Sequence, residues 1–241
     1  MAHVSLFSRH DSIFRSDPSR REDRLVVSLY SPLLLYGHVS NLLLMVAILR
    51  SPKLRTVPSY LLMLFMCSCD IVMLLISLFL ETASIIFAHF EPDTFHNYFS
   101  LFIYDIFFYS FVLALNVVAL NRFTSILYPH YYCWLFSLRN TSISILVVFI
   151  IGGLIAVPNL FPCCRLIWYP LNYSSSFPED SWFVCLDGSI HIVTLVINFV
   201  LYSCVVCRVH RARCRANKLT SCTNESNREI RLTVQVWTLP L

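Results

Sequence analysis

Three cysteines and a histidine near the carboxyl end of the sequence are spaced like metal ligands. They are Cys204, Cys207, His210 and Cys214. On one helix, which rises 1.5 Å per residue, the first and last of them lie about 15 Å apart. A tetrahedral zinc ion with bonds of about 2.0–2.3 Å cannot bind all four. We therefore expect no metal and no cofactor. We interpret these cysteines as free thiols near a membrane face, with Cys214 or Cys222 as a candidate for acylation.

The sequence contains no motif for catalysis or nucleotide binding. Its four glycines form neither GxGxxG nor GxxxxGK, and no motif places a serine, a histidine and a carboxylate for nucleophilic catalysis. The net charge of +4 is small and unevenly distributed, which does not favour a nucleic-acid surface. We expect neither an enzyme nor a nucleic-acid-binding protein.

Ionisable side chains inside apolar stretches are the remaining candidates for a function, because such groups are costly to place in lipid. Six candidates for a ligand site lie in the predicted outward halves of these stretches: Glu81, Tyr98, Asp105, Tyr109, Asp187 and His191. The alternative is that several of them only form hydrogen bonds or ion pairs with one another. Their many aromatic neighbours suit a small, mainly apolar ligand, and no charge pattern among them identifies it.

The elements that carry these residues must lie in a membrane. Hydrophobic residues make up 57% of the chain and charged residues 13%, whereas a soluble domain has about 45–50% and about 25%. Five apolar stretches are long enough to cross a hydrocarbon core about 30 Å thick as helices. They cover residues 25–49, 60–88, 98–120, 143–162 and 182–207. The sequence predicts an all-α, polytopic membrane helix bundle with five transmembrane helices.

The lysines and arginines predict the orientation of this bundle, because cytoplasmic segments hold the excess. Twelve of these residues lie on the side of the membrane that holds the loop after the first helix, and six lie on the side that holds the amino terminus. Five of those six precede the first helix and oppose the assignment, but four acidic residues partly neutralise them. We expect an extracellular tail at 1–24 and a cytoplasmic basic segment at 208–241. Glycosylation is then expected at the sequon of Asn172 and not at those of Asn140 and Asn224.

The third predicted helix ends in a run that reads NRFTSILYP. It resembles the DRYxxIxxP signature of rhodopsin-like G-protein-coupled receptors, with Arg122, Ile126 and Pro129 in place. Phe123 is a conservative change of the aromatic residue, whereas Asn121 replaces the aspartate and cannot supply its ion pair. An arginine at the cytoplasmic mouth of a bundle can extend to water or bridge neighbouring helices. Movement of Arg122 between these two states could act as a switch that admits a partner protein. The alternative is that Arg122 only anchors one end of the helix at the membrane interface.

The similarity extends beyond this motif. The longer run NRFxxIxxPxxYxxxFSxxNT resembles nematode chemosensory receptors of serpentine receptor class X. Gly37 and Asn41 in the first helix, LRTVPSY at the start of the second, and NREIRLTVQ at residues 227–235 also fit rhodopsin-like receptors. The resemblance implies a seven-helix fold that detects an external small molecule and signals to a heterotrimeric G protein near Arg122.

Asp70 lies in the middle of the second predicted helix, where an unpaired carboxylate costs about 2.5–3.5 kcal/mol. Its side chain must therefore face the bundle. The resemblance implies a polar network of Asp70 with Asn41 of the first helix. A protonated Asp70 that is hydrogen-bonded to a neighbouring helix is the alternative.

Three cysteines lie in the predicted second outer loop: Cys163, Cys164 and Cys185. A disulfide is permitted outside the membrane, and Cys185 bonded to either of the other two would close the loop. The start of the third helix contains no cysteine, so the usual receptor disulfide to this loop is not expected.

The chain ends at Leu241, shortly after the predicted start of a sixth helix. We therefore expect a truncated form that does not itself couple to a G protein, and coupling to a heterotrimeric G protein if the missing helices complete the chain. The resemblance implies the plasma membrane; retention in the endoplasmic reticulum, or pairing with another receptor, is the alternative for the truncated form. Two other classes of protein compete with this interpretation. In a transporter or channel subunit, Asp70, Asp105 and Asp187 would line a substrate path. A non-signalling partner would instead bind and retain full-length receptors.

Overall fold

The computed structural model describes residues 19–82, 95–169, 174–178 and 181–222. The helices in these ranges are α1 (Ser19–Arg50), α2 (Pro52–Arg55), α3 (Pro58–Ile76), α4 (Phe95–Leu127), α5 (Pro129–Leu135), α6 (Leu138–Ala156) and α7 (Phe183–Cys222). A π-helical segment, Ser77–Thr82, continues α3, and a 3-10 helix, Val157–Leu160, continues α6. Strand β1 (Ile167–Tyr169) pairs antiparallel with β2 (Ser174–Ser176) to form a short hairpin.

Five of these helices are long and apolar enough to cross a membrane. The candidate spans are Leu25–Arg50, Pro58–Leu80, Asn97–Leu127, Leu138–Leu160 and Phe183–Cys214. The predicted fold class, an all-α polytopic membrane bundle, is confirmed. Helix α4 extends to Leu127, past the apolar stretch, because neither proline nor glycine interrupts the chain before Pro129. The NRF motif therefore lies on a helix.

Prolines and one serine set the starts of several helices. Pro52, Pro58 and Pro129 each occupy the first turn of a helix, where the missing N–H of proline costs no hydrogen bond. Helix α6 begins differently, because the Ser137 side chain accepts a hydrogen bond from the backbone N–H of Asn140 at 3.2 Å. These starts fix the short connections that reverse the chain between spans.

Helix α4 is the central element of the bundle. It packs against α3, α6 and α7, and α1 packs against α3. Successive spans run in opposite directions, which gives the bundle two ends. The NRF end contains Asn121 to Phe123 and the starts of α3 and α6. The hairpin end contains the β-hairpin and the start of α7.

Helices α4 and α6 approach each other closely at Gly152. Ser110 of α4, which has no exposed surface, faces this glycine. A Cβ atom at Gly152 would lie 2.7 Å from the backbone nitrogen of Ser110 and 3.0 Å from its Cα. Small residues at such contacts let membrane helices pack backbone to backbone.

The outer surface of the bundle is apolar and its interior contains polar side chains. Phe199 and Leu195 of α7 are 73% and 71% exposed, whereas Ser110, Asn121 and Asn159 are buried. The Ser110 hydroxyl donates to the carbonyl of Ile106 on its own helix, so its burial leaves no donor unpaired. This inverted distribution fits a protein whose solvent is lipid.

Candidate functional site

A chain of polar contacts joins α4 to α7 near the hairpin end. Asp187 and His191 are one turn apart and therefore lie on one face of α7. The Tyr109 hydroxyl of α4 donates a hydrogen bond to Asp187 Oδ1 at 2.8 Å, and His191 Nε2 lies 3.3 Å from the same oxygen. The structure thus brings three of the six predicted ligand residues into direct contact.

Asp105 lies one turn before Tyr109 on α4 and is 4% exposed. Its Oδ2 accepts a hydrogen bond from Asn159 Nδ2, which belongs to the 3-10 helix after α6. Asn159 is 2% exposed, and its Oδ1 has no hydrogen-bond partner. The Asp105 carboxylate therefore links α4 to the end of α6. Sequence reasoning missed Asn159, although an amide inside an apolar stretch is the same kind of signal that identified Asp105.

Aromatic rings surround these polar contacts. Tyr109 belongs to a buried cluster with Ala156, Cys164 and Phe183, and its ring meets the edge of Phe183 at a centroid distance of 6.4 Å. The Phe108 ring lies 5.4 Å from the His191 ring. The hydroxyl, carboxylate and imidazole groups therefore lie among aromatic side chains, which suits a ligand with an apolar body and a polar group.

The other two predicted ligand residues, Tyr98 and Glu81, are not part of this polar group in the described structure. The Arg165 guanidinium lies 4.0 Å above the centroid of the Tyr98 ring, a cation–π contact. Among the described residues, Tyr98 forms no hydrogen bond or ring contact with Tyr109 or Asp187. The side chain of Glu81 lies outside the described residues, so its role stays a prediction.

The NRF motif is organised around the buried amide of Asn121, which is 1% exposed. Its Oδ1 accepts a hydrogen bond from the Ser59 hydroxyl of α3 at 2.8 Å. Its Nδ2 donates to the Tyr132 hydroxyl of α5 at 3.5 Å. An aspartate at this position could accept such bonds but could not donate one. The asparagine therefore ties three helices together by neutral hydrogen bonds.

The other residues of the motif lie around this amide. Arg122 is half-buried, and no described residue forms an ion pair with it. The Phe123 ring lies 5.9 Å from the Tyr128 ring. Ile126 is half-buried, and Pro129 begins α5. The residue before Arg122 is Asn121, which carries no carboxylate.

The predicted network of Asn41 with Asp70 has no hydrogen bond among the described residues. Asn41 Nδ2 donates instead to the carbonyl of Gly37, one turn earlier on α1, at 3.0 Å. Asp70 is half-buried on α3. The joint role of these two residues stays a prediction.

A second polar link between α4 and α7 was not predicted. Asn116 Nδ2 donates to the Thr194 hydroxyl at 3.3 Å, and Asn198 Nδ2 donates to Asn116 Oδ1 at 2.7 Å. All three residues lie inside membrane spans. Two asparagines in apolar stretches were the available signal, but their pairing depends on how the two helices are rotated.

The cysteines of the predicted outer loop are free thiols. Cys163 Sγ lies 2.7 Å from Cys164 Sγ. Cys164 is buried, and Cys163 and Cys185 are exposed. The predicted bond from Cys185 stays a prediction, and the sequon at Asn172 lies outside the described residues.

The thiol–histidine group of α7 forms no metal site in the part of the chain described. Within these ranges no three His, Cys, Asp or Glu side chains are placed to hold a metal ion. Cys214 Sγ lies 3.8 Å from His210 Nδ1, which is a contact between neighbouring turns of one helix.

A groove of about 560 Å³ opens at the NRF end between α4 and α7. Its lining combines apolar and sulfur-containing side chains with a hydroxyl, a phenol and two guanidinium groups: Leu127, Tyr128, Ser203, Cys204, Cys207, Arg208 and Arg211. The two arginines are exposed. The groove is therefore positively charged and lies next to the NRF motif.

Comparison with models of known families identifies the family of this chain. No curated protein matches the chain. The model of one family, the serpentine type 7TM GPCR chemoreceptor Srx, matches residues 32–238, which extend from α1 through α7. This range contains the NRF motif and the polar links between α4 and α7. The chain is therefore a multi-pass membrane protein that belongs to the Srx family of serpentine chemoreceptors.

Proposed function

We propose that this chain binds an external small molecule at the hairpin end and, within a seven-helix receptor, transmits that event to a heterotrimeric G protein at the NRF end. The hydrogen bond between Tyr109 and Asp187 carries the proposal, because it couples α4 to α7 beside His191. A ligand that competes for the Asp187 carboxylate changes how the two helices are held together. Such a ligand selects one helix arrangement over another.

The NRF end supports the second half of this proposal. The basic groove between α4 and α7 suits an acidic or carboxyl-terminal segment of a protein partner. Arg122 has no ion-pair partner among the described side chains, so its guanidinium is available to such a partner. The Asn121 amide holds α3, α4 and α5 around it. Asn121, Arg122, Phe123, Ile126 and Pro129 are therefore the proposed switch and contact region.

Ligand binding at the hairpin end can be tested with a panel of small, mainly apolar odorants. Membranes that contain a G protein and this chain fused to the sixth and seventh helices of a relative are screened for compound-dependent nucleotide exchange. For an active compound, we expect Asp187→Asn to raise the half-maximal concentration about tenfold, because one hydrogen bond to a charged group contributes about 1.5–3 kcal/mol. Tyr109→Phe should lower it, because the Tyr109 hydroxyl no longer competes for the Asp187 carboxylate. Tyr202→Phe is the matched control, since Tyr202 is exposed on α7 and its change should have no effect.

Equal responses of wild type, Tyr109→Phe and Asp187→Asn would place the ligand elsewhere. Equal weakening by Tyr202→Phe would show that the effect is not specific to the polar link. Surface amounts of all variants are measured by biotinylation, so that a lower response is not mistaken for a lower receptor number.

The proposed orientation has an extracellular tail at 1–24, and segment 208–241 in the cytoplasm of a plasma-membrane protein. Twelve of the eighteen lysines and arginines then lie inside. We expect glycan at Asn172 and none at Asn140 or Asn224, read as a glycosidase-sensitive mass shift that Asn172→Gln abolishes. The amide of Asn140 is in addition occupied by the carbonyl of Trp134 at 2.8 Å. A mass shift that persists in Asn172→Gln and is lost in Asn224→Gln would show that the protein has the opposite orientation in the membrane.

A further inference from the structure

Two adjacent cysteines lie in a tight turn at the hairpin end. The backbone N–H of Cys164 donates to the carbonyl of Phe161 at 3.1 Å, so the chain reverses between these residues. In an extended segment, neighbouring side chains point to opposite sides. In this turn both point the same way, and the two Sγ atoms lie 2.7 Å apart. The backbone therefore holds the two thiols in contact.

The two sulfur atoms have different surroundings. Cys164 has no exposed surface and packs in the cluster with Tyr109, Ala156 and Phe183. Cys163 is exposed. A soluble reagent can therefore reach one thiol, and the second thiol is in position to react with the product.

We propose that Cys163 and Cys164 form a reversible disulfide with each other, a modification site at the hairpin end. The proposal rests on the orientation given above, which places the turn outside the cytoplasm, where disulfides persist. It differs from the bond between Cys185 and either residue that the sequence predicts. Cys185 stays a free thiol in the modified protein.

The reaction is a thiol–disulfide exchange with a low-molecular-weight disulfide such as oxidised glutathione. The Cys163 thiol loses its proton, and the thiolate attacks one sulfur of the reagent, which releases one glutathione as a thiol. The Cys164 thiol then loses its proton and displaces the second glutathione from Cys163. Two cysteine thiols are oxidised to one disulfide, and one glutathione disulfide is reduced to two thiols.

Reversibility follows from the covalent spacing of neighbouring residues. Adjacent Cα atoms are about 3.8 Å apart, whereas disulfides usually join Cα atoms about 4.4–6.8 Å apart. A bond between sequence neighbours is therefore constrained, and constrained disulfides are reduced more easily than relaxed ones. Glutathione mixtures should move this pair in both directions.

The modification would also reach the proposed ligand site. The Cys164 side chain packs in the same buried cluster as Tyr109, whose hydroxyl donates to Asp187. Formation of the bond draws the Cys164 sulfur toward Cys163 and changes this packing. The thiol–disulfide balance outside the cell would thus adjust the link between α4 and α7.

Peptide mapping of the purified full chain tests the proposal. The protein is incubated with oxidised glutathione, alkylated with iodoacetamide in denaturant so that the buried Cys164 is accessible, digested without reduction and analysed by mass spectrometry. We expect one peptide that contains Cys163 and Cys164, is lighter by two hydrogens and carries no label, together with an alkylated Cys185. Cys185→Ser should give the same peptide, and reduced glutathione should restore labelling at both positions.

Two results would overturn the proposal: a cross-linked peptide that joins Cys185 to either neighbour, or full alkylation of both neighbours after oxidation. Neither result depends on a ligand or a G protein, so failure here is distinct from failure of the proposed function. The labelling rate gives an independent readout. The hydrogen bond with the Cys164 thiol raises the pKa of the Cys163 thiol, which lowers its thiolate fraction near neutral pH. Cys164→Ala should therefore speed alkylation of Cys163 in the reduced protein, and an unchanged rate would exclude the thiol contact.

Discussion

Gly152→Ala should strongly reduce the amount of folded protein, whereas Gly153→Ala should leave it unchanged or raise it. A Cβ atom at Gly152 meets the backbone nitrogen of Ser110 at 2.7 Å and its Cα at 3.0 Å. Backbone atoms cannot rotate away, so α4 and α6 must separate. A Cβ atom at Gly153 meets nothing within 4 Å, and alanine favours helix over glycine by about 1 kcal/mol.

The same glycine-to-alanine change is therefore expected to lower the stability of the fold at Gly152 and to raise it or leave it unchanged at Gly153. Overpacking costs about 1–3 kcal/mol, and a larger loss is expected for Gly152→Leu. The measurement is the thermal midpoint of the detergent-solubilised protein, followed by size-exclusion chromatography of a fluorescent fusion. Equal midpoints for the two alanine variants would contradict the close approach of Gly152 to Ser110.

The second large effect is expected at the bond between Asp105 and Asn159. Asn159→Leu removes the donor to the Asp105 carboxylate, which is 4% exposed. A buried polar group left without a partner costs about 1–3 kcal/mol, and a charged one costs more. We expect a lower thermal midpoint for Asn159→Leu, with partial recovery when Asp105→Leu is added.

A double-mutant cycle measures this coupling. The four proteins are wild type, each single variant and the double variant, and a coupling above about 1 kcal/mol is expected for residues in contact. Ser142→Ala is the control, because the Ser142 hydroxyl is exposed and bonds only along its own helix to Leu138. Additive effects of the two substitutions would show that Asp105 and Asn159 do not stabilise the fold as a pair.

The sequence predicts well the features that depend on neighbouring residues in the chain. Apolar length identifies the five spans, and residue spacing puts Asp187 and His191 on one face of α7. The spacing within the run NRFxxIxxPxxYxxxFSxxNT identifies the family by resemblance, which the family match confirms. None of these features requires knowledge of how two helices are rotated about their axes.

Contacts between helices were harder to predict. The replacement of aspartate by Asn121 indicates a lost ion pair, but its partners Ser59 and Tyr132 become visible only when three helices are packed. The link of Asn116 to Asn198 depends on the same rotations. The three-residue strands β1 and β2 are too short to leave an alternating pattern in the sequence.

Helix α7 is a single unbroken helix from Phe183 to Cys222. At 1.5 Å per residue, Arg211 lies about 36 Å along the axis from Asp187. A rigid rod of that length works as a lever. A tilt of about 10° around Asp187 would sweep Arg211 through about 6 Å, roughly the pitch of one helical turn. A displacement of about 1 Å at His191, one turn from that pivot, would thus be magnified into a movement that a docked protein can sense.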